Sequence, residues 1–402
     1  MQANSATPRA KGYVAFLIFI AILGAFSSFV NDMYLPTIPD MMHEYHTTAS
    51  VTQGGLSAVM LGLGIGSVLW GSLSDRRGRK PMLILSLIIF SAATLVAVFS
   101  PSIWFFIGCR LVQGIGAGGA MVLSYSIPAD LYGGRQLAAV MALVGAINGF
   151  APAAGPLVGG FMADSVGWRG IFVLLLAIGV GMLLWAMHRP ESLTPSRRTT
   201  SRGLAAYVKA YMALFRNRRF MIYVMLKSIG IGLLYAYISS APFIVRDHYG
   251  FSAPAFGMIF GANALAIAAG SILVMRFRVL KNGLVAGSAG MFVFAVADAA
   301  VLWEGAHFAW YEVASVPMLF FLGMVFASAN SLAMDVGRSD AGTSAAILNV
   351  VKYVIAAVVA PLVGLDDILH SSAIVFTAVA LIAMVFALAA MRLKPLPDME
   401  KS

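Results

Sequence analysis

Apolar stretches of about 20 residues recur along the whole chain and are separated by short polar connections. A stretch of this length crosses the roughly 30 Å hydrocarbon core of a bilayer as one helix. Twelve can be placed, near residues 13–36, 50–73, 81–99, 102–126, 136–162, 168–188, 219–245, 254–278, 283–304, 309–334, 340–364 and 371–392. The pattern predicts an all-α membrane protein with twelve transmembrane helices.

The first apolar stretch follows Arg9 and Lys11, an arrangement that also occurs in secretory signals. It runs from Tyr13 to Val30, which is long for a signal core, and no small-residue cleavage site follows it. The chain then continues into the second apolar stretch. We therefore interpret residues 13–36 as the first membrane span.

Composition agrees with this interpretation, since 60% of the residues are apolar, 11% are charged and the mean hydropathy is +0.87. These values exclude a soluble enzyme. The single cysteine, Cys109, allows neither an intramolecular disulfide nor a cysteine metal cluster. No phosphate-binding G-x-x-x-x-G-K-[ST] sequence is present, so direct use of ATP is not expected. We expect no cofactor, no bound metal and no catalytic residues.

One longer polar segment, residues 189–218, divides the apolar stretches into six and six. It predicts an N-terminal six-helix half at 1–188, a linker, and a C-terminal six-helix half at 219–402. A trace of an internal repeat supports two halves. A segment that begins with Gly-Ser and ends with Arg stands at the end of the second stretch, Gly71 to Arg76, and at the end of the eighth, Gly270 to Arg276.

The distribution of basic residues predicts the orientation, since Lys and Arg are retained on the cytoplasmic side. With both termini in the cytoplasm, only Arg169 and Arg246 of the 27 Lys and Arg residues fall in outer connections, while Arg110, Lys227 and Lys352 lie within spans. The net charge of +10 is then explained by topology and anionic lipid, and no nucleic-acid partner is expected. We predict a multi-pass protein of the bacterial cytoplasmic membrane.

The connection between the second and third stretches reads Gly71-Ser-Leu-Ser-Asp75-Arg76-Arg77-Gly78-Arg79-Lys80-Pro81. This sequence predicts a tight turn between two helices, with Gly71 allowing a close helix approach, Gly78 a positive φ, and Pro81 lying at the start of a helix. The alternative is a basic loop that serves only to set orientation.

This connection resembles the G-x-x-x-D-R-x-G-R-[RK] motif of the major facilitator superfamily. Two further segments resemble motifs of that family: Arg110 to Gly118, an arginine followed by small residues, and Gly155-Pro156-Leu-Val-Gly159-Gly160, the core of the drug and proton antiporter motif. Two upstream glycines of the antiporter motif are Ala142 and Ala151 here. Asn31 to Pro39 resembles the bicyclomycin and chloramphenicol resistance type of drug exporter.

The resemblance implies the major facilitator fold. It also implies that Gly71, Asp75, Arg76, Gly78 and Arg79 form a conformational switch, in which Asp75 acts as a latch between the halves near the eleventh span.

Five ionisable residues lie at membrane depth, where each costs roughly 2.5–3.5 kcal/mol on insertion scales. They are Asp32, Arg110, Lys227, Asp298 and Lys352. Residue counts along spans 1 and 4 allow Asp32 and Arg110 to lie at similar depth near the outer face. The resemblance implies that both spans line the central cavity, so a pairing is allowed, with Asp32 binding the coupling proton and Arg110 tuning it. The alternative is a static salt bridge or a charge in a water-filled vestibule. A structural role is favoured for Asp298.

Polar and aromatic residues distributed over several spans are candidates for a substrate cavity. Each of them is also able to act only as a helix-helix hydrogen bond or an interfacial anchor. The candidate set is Asn31, Tyr34, Gln53, Asn148, Tyr235, Tyr237, Asn263, Asn330, Asn349 and Lys352.

Taken together, these features favour a proton-coupled antiporter that exports small lipophilic compounds by alternating access, acting as a monomer in the lipid bilayer. Its expected partners are a small-molecule substrate and protons. One alternative is an exporter of a native metabolite such as a sugar or an amino acid derivative. Another, of a different class, is a membrane-embedded enzyme or sensor.

Overall fold

The computed structural model describes residues 10–195, 211–338 and 341–393. These residues are mostly helical and include no β-strand. Eleven of their helical segments are long and apolar enough to cross a membrane.

The longest, Gly134–Met187, has 54 residues and would measure about 81 Å at 1.5 Å per residue, far more than one bilayer requires. Its backbone leaves the helical conformation at Gly167, so it supplies two spans. The predicted twelve spans are confirmed.

The spans are numbered in chain order. Spans 1 to 4 are Ala10–Asp32, Ala49–Arg77, Arg79–Val98 and Ile103–Leu131, and spans 5 and 6 are the two arms of Gly134–Met187. Spans 7 to 12 are Arg218–Pro242, Ala253–Leu273, Leu280–Glu304, Phe308–Val336, Ala341–Val359 and Ile368–Met391. We call the end of the bundle where spans 2 and 3 meet the linker end, and the opposite end the far end.

The chain reverses direction at Gly167. Before this residue, Gly155 of span 5 lies beside Asp32 at the far end of span 1, and after it Trp185 of span 6 packs on Phe19, closer to the linker end. A short helix, Ile38–Glu44, follows span 1 at the far end. Spans 5 and 6 are therefore antiparallel and are joined by a single non-helical residue.

Local chemistry explains several helix ends. The side chains of Thr48 and Ser102 accept hydrogen bonds from the first turns of spans 2 and 4, and Asp367 accepts two from span 12. Gly78, between spans 2 and 3, has φ 103°, and Pro81 falls in the first turn of span 3. The turn predicted from this segment is confirmed.

Spans 1–6, the first group, pack mainly against each other, and spans 7–12 form a second group. Spans 2 and 4 are in very close contact, because a Cβ atom on Gly62 or Gly66 would lie 2.3 or 2.4 Å from a main-chain carbonyl oxygen of span 4. A Cβ on Gly71 would instead lie 3.7 Å from the Val122 side chain, an ordinary contact. The prediction that Gly71 allows the close approach was wrong, since the close crossing lies nearer the far end.

Candidate functional site

Contacts between the two groups concentrate between the middle of the bundle and the far end. Arg246, after span 7, donates hydrogen bonds to the Pro36 carbonyl and to Asp40 (Nη1 to Oδ2, 2.8 Å). Gln53 of span 2 donates from Nε2 to the Ser239 carbonyl (3.1 Å). Because these bonds cross from one group to the other, they close the bundle at the far end.

Two pairs of spans support this closure by direct packing. Span 11 packs along span 2, and Gly364, just after span 11, lies against the main chain of Ser50 at the start of span 2. Span 11 also contacts span 4, where the Tyr353 hydroxyl lies 3.2 Å from the Met121 sulfur. Span 5 runs along span 8, where Gly160 lies against the Ala253 carbonyl.

Asp32 lies at this closure and is only 3% exposed. Its carboxylate accepts a hydrogen bond from Asn31 Nδ2, and the same amide nitrogen donates to the Tyr235 hydroxyl of span 7 at 3.3 Å. The predicted site residues Asp32, Asn31 and Tyr235 are therefore brought together in one chain of hydrogen bonds across the two groups. Opening of the far end would have to break the bond between Asn31 and Tyr235.

Arg110 is fully buried in the first group, and its hydrogen bonds go to Gln113 and to main-chain carbonyls. The Val30 carbonyl, 2.9 Å from Nη1, lies in the last turn of span 1, where carbonyls have no helical partner. The guanidinium carbon lies 4.4 Å from the centre of the Tyr34 ring. Arg110 forms no ion pair with Asp32 among the described residues. The allowed pairing is not formed, because the guanidinium is held by these carbonyls.

The antiporter-type motif lies between span 1 and span 8. A Cβ on Gly155 would lie 3.2 Å from Asp32 Cβ, and one on Gly159 would overlap the Met33 carbonyl. On the side that faces span 8, a Cβ atom on Gly257 would lie only 2.7 Å from the Pro156 carbonyl oxygen, and Gly160 lies against Ala253. The small residues of this motif therefore let span 5 approach both the carboxylate and the second group.

Substitution of Gly160 by alanine is expected to disfavour closure of the far end. The new Cβ would lie 2.4 Å from the main-chain oxygen of Ala253, which is unable to move as a side chain would. Overpacking of this kind costs about 1–3 kcal/mol, which shifts the equilibrium about 5- to 150-fold toward the open far end. Spin labels on cysteines at His43 and Glu304, with Cys109 replaced by serine, should report a longer distance.

Gly145→Ala is the matched control for this substitution. Gly145 also lies in span 5, but a Cβ there would have no described atom within 4 Å. Equal label distances in Gly160→Ala, Gly145→Ala and the parent protein would contradict the role assigned to the contact between Gly160 and Ala253.

Nearer the linker end, the second group presents two lysines. Lys227 of span 7 donates from Nζ to Asn330 Oδ1 of span 10 (2.5 Å). Lys352 of span 11 is partly buried and lies 4.5 Å from the centre of the Tyr353 ring. Asn349, one turn before Lys352, shares its helix face. The side chain of Asn148 lies outside the described part of the structure.

Tyr237 and Asn263 belong to a separate polar cluster within the second group. Asn263 Nδ2 donates to the Tyr237 hydroxyl (2.9 Å) and to Glu312 Oε1 (3.2 Å). Nearby, the fully buried Asp298 accepts from Ser315 (3.1 Å) and makes no ion pair with Lys352. The sequence interpretation missed Glu312, because its position four residues into span 10 is typical of an interfacial carboxylate.

At the linker end, the predicted switch residues meet within the first group. Arg79 forms ion pairs with Asp75 (2.6 Å) and Asp130 (2.8 Å). Glu191, which the sequence interpretation did not single out, accepts hydrogen bonds from the main-chain nitrogens of Arg79 and Lys80. Asp75 is therefore paired within its own group here, and its role as a latch between the groups stays a prediction.

The described residues contain no group of three His, Cys, Asp or Glu side chains that could hold a metal ion. The arrangement instead combines a buried carboxylate, Asp32, beside a closure at one end of a helical bundle with cationic groups on the other side of that closure. Such an arrangement suits the movement of a solute between two groups of helices rather than covalent chemistry.

Comparison with known proteins agrees with this architecture. The sequence matches the Major Facilitator Superfamily over residues 20–361, most of the chain. The chain belongs to this superfamily. It is 31% identical over 371 residues to the uncharacterized MFS-type transporter YdgK of Bacillus subtilis (strain 168), which covers 90% of this chain and 91% of YdgK.

Other relatives carry drug-resistance names. The chain is 25% identical to the bicyclomycin resistance protein homolog of Haemophilus influenzae, covering 88% of this chain and 90% of that protein. It is 26% identical to multidrug resistance protein D of Escherichia coli (strain K12), covering 87% and 88%. The protein is thus a superfamily transporter of the multidrug-resistance type, as its motifs indicated, and not an enzyme.

A solved structure shows the same fold. A bacterial homolog of the human lysosomal transporter Spinster superposes with a TM-score of 0.76 at 15% identity, covering 96% of this chain and 98% of that one. The major facilitator fold predicted from the motifs is confirmed, and the protein is a multi-pass membrane transporter of small molecules.

Proposed function

We propose that this member of the superfamily is a proton-coupled antiporter that exports small lipophilic compounds from the cytoplasm by alternating access. The observation that carries the proposal is the chain of hydrogen bonds from Asp32 through Asn31 to Tyr235, which joins the two groups at the far end. It connects Asp32, the buried carboxylate of the first group, to the Asn31 to Tyr235 hydrogen bond, which must break whenever the far end opens.

This connection supports a simple exchange cycle. With the far end closed, Asp32 is removed from outside water. A compound that enters between the groups from the linker end displaces the proton carried by Asp32 into the cytoplasm. When the far end opens, the Asn31 to Tyr235 bond breaks, the compound leaves, and Asp32 takes up a proton from outside. The two six-helix halves, joined by residues 189–218, move against each other within a single monomer.

The energy available matches this task. One proton charge that moves inward across 100 mV supplies about 2.3 kcal/mol. That free energy sustains roughly a 50-fold gradient of a neutral compound before any contribution from the pH difference. The exchange is therefore able to lower the cytoplasmic concentration of a compound that crosses the bilayer slowly.

Purified protein in liposomes tests the proposal. Under an imposed proton gradient, uptake or release of lipophilic compounds should be accompanied by proton movement in the opposite direction, both followed at once. Compound movement without proton movement would contradict the coupling, and absence of both with a broad set of lipophilic compounds would contradict the exporter function.

The orientation in the bacterial cytoplasmic membrane also belongs to this proposal, and it rests on the basic residues near the linker end, such as Arg76, Arg77 and Lys80. Reporter domains fused after Ser201 and after Ser402 are both expected to be active only in the cytoplasm. A fusion after Gly305, in the far-end connection between spans 9 and 10, serves as the control and should report the periplasm. A periplasmic signal after Ser201 or Ser402 would contradict this orientation.

A further inference from the structure

Lys227 and Lys352 lie deep in the bundle, where a lysine is rarely placed without a function. Counted from the linker-end starts of spans 7 and 11, they lie 9 and 11 residues inside, or about 14 and 17 Å at 1.5 Å per residue. This is about half the thickness of the hydrocarbon core, so neither ammonium group reaches the interface easily.

Among the described residues, neither lysine forms an ion pair. The carboxylates at membrane depth are engaged elsewhere: Asp32 with Asn31, Glu312 with Asn263, and Asp298 with Ser315. Spans 7 and 11, which carry the two lysines, pack directly against each other. Two like charges at this depth without a carboxylate indicate that another anion is accommodated there during the transport cycle.

The lysines lie on the linker side of the far-end closure. Lys227 precedes Tyr235, which bonds to Asn31, by eight residues along span 7, or about 12 Å. Lys352 precedes Gly364, which lies against Ser50, by twelve residues, or about 18 Å. A compound that enters from the linker end therefore reaches the lysines before it reaches Asp32.

The surroundings suit a molecule with one charged and one apolar part. The centre of the Tyr353 ring lies 4.5 Å from Lys352 Nζ, the Tyr353 hydroxyl contacts the Met121 sulfur, and Tyr235 lies about two turns beyond Lys227 along span 7. Aromatic rings and methionine form adaptable apolar contacts, whereas ammonium groups form charge-assisted hydrogen bonds with carboxylate, phosphonate or sulfonate oxygens.

We propose that the exported compounds are lipophilic organic anions, whose acidic group binds between Lys227 and Lys352. The proposal rests on the exporter function above and specifies its substrate class. It also explains why the first group needs only one buried carboxylate, since a cationic compound would be repelled by the lysines and an anionic one would be attracted by them.

The class of compound has a consequence for the electrical charge moved. Exchange of one proton inward for a neutral compound outward moves one charge, and exchange for a monovalent cation moves none. Exchange for a monovalent anion moves two charges in the same direction. Export of an anion should therefore respond most steeply to membrane potential when the pH is equal on both sides.

Three compounds with the same aromatic body test the proposal: 1-naphthaleneacetate, 1-naphthaleneacetamide and 2-(1-naphthyl)ethylamine. We expect the acid to bind the purified protein at least 10-fold more tightly than the amide, and its export to show the steepest dependence on potential. Lys227→Met and Lys352→Met should each weaken binding of the acid about 10- to 100-fold while leaving binding of the amide unchanged. Lys352→Arg should largely restore binding of the acid.

Lys281→Met is the matched control, because Lys281 lies at the linker end and bonds to the Leu393 carbonyl, outside the path between the groups. It should leave all three affinities unchanged. Three outcomes would each overturn the anion proposal. The first is proton-coupled export of the amide or the amine with no preference for the acid. The others are an acid that does not bind and lysine variants that bind the acid normally. Absence of proton coupling with every compound would instead overturn the exporter function.

Discussion

Asp32→Asn is expected to abolish proton-coupled export while the protein still folds and reaches the membrane. Asparagine keeps the shape of the side chain and an oxygen that accepts the hydrogen bond from Asn31, so the closure to Tyr235 is preserved. The substitution removes the one buried carboxylate among the described residues of the first six spans. In proteoliposomes, substrate-induced proton release should fall to the level of empty liposomes.

The control for this experiment is Asp164→Asn, which removes an exposed carboxylate of span 5 near the same end of the bundle. It should leave proton release and compound flux unchanged. Undiminished coupling in Asp32→Asn would place the proton site elsewhere, and Asp298, buried in the second group, is then the next carboxylate to examine.

Arg110→Ala is expected to cause a large loss of folded protein rather than a selective loss of coupling. The substitution leaves the Val30 carbonyl and the Gln113 side chain without their donor in a fully buried position. It also removes the cation stacked on Tyr34. Each buried acceptor left without its donor costs about 1–3 kcal/mol. Size-exclusion profiles and thermal unfolding in detergent should both show the defect.

Arg110→Lys separates charge from geometry. Lysine keeps the positive charge but lacks the planar group that contacts span 1 and Gln113 together, so it should recover only part of the stability. A normally stable Arg110→Ala protein that has lost proton coupling would contradict this structural role and favour a direct electrostatic effect on Asp32.

Much of the fold is predictable from the sequence, because each span must satisfy its own backbone hydrogen bonds and present an apolar surface to lipid. The positive φ of Gly78 is also predictable, because an abrupt turn between two helices needs a glycine. The depth of a residue in the membrane is also predictable, because it follows from counting residues along each helix. This count correctly placed Asp32 and Arg110 near the same end of the bundle.

The partners of these side chains are less predictable. Depth says nothing about the direction in which a side chain points around its helix, so the sequence did not reveal that Arg110 binds the end of span 1 instead of Asp32. For the same reason, the sequence grouped Asn263 and Tyr237 with the cavity, although Asn263 bonds to both Tyr237 and Glu312 within the second group. Asp75 pairs with Arg79 of its own group, because the two lie four residues apart across the turn at Gly78, and its role as a latch between the groups stays a prediction.

The turn at Gly167 bears on how the protein is made. Spans 5 and 6 have no loop between them, so a newly synthesised chain has to fold them into the bilayer as a closed hairpin and not one after the other. Gly167 has φ 63° and ψ −173°, a backbone conformation that only glycine normally adopts, so a β-branched residue there would add about 1–3 kcal/mol of strain to that step. Gly167→Val should therefore appear as rapid degradation of nascent chains by membrane quality control, whereas molecules that escape it would resemble the parent protein.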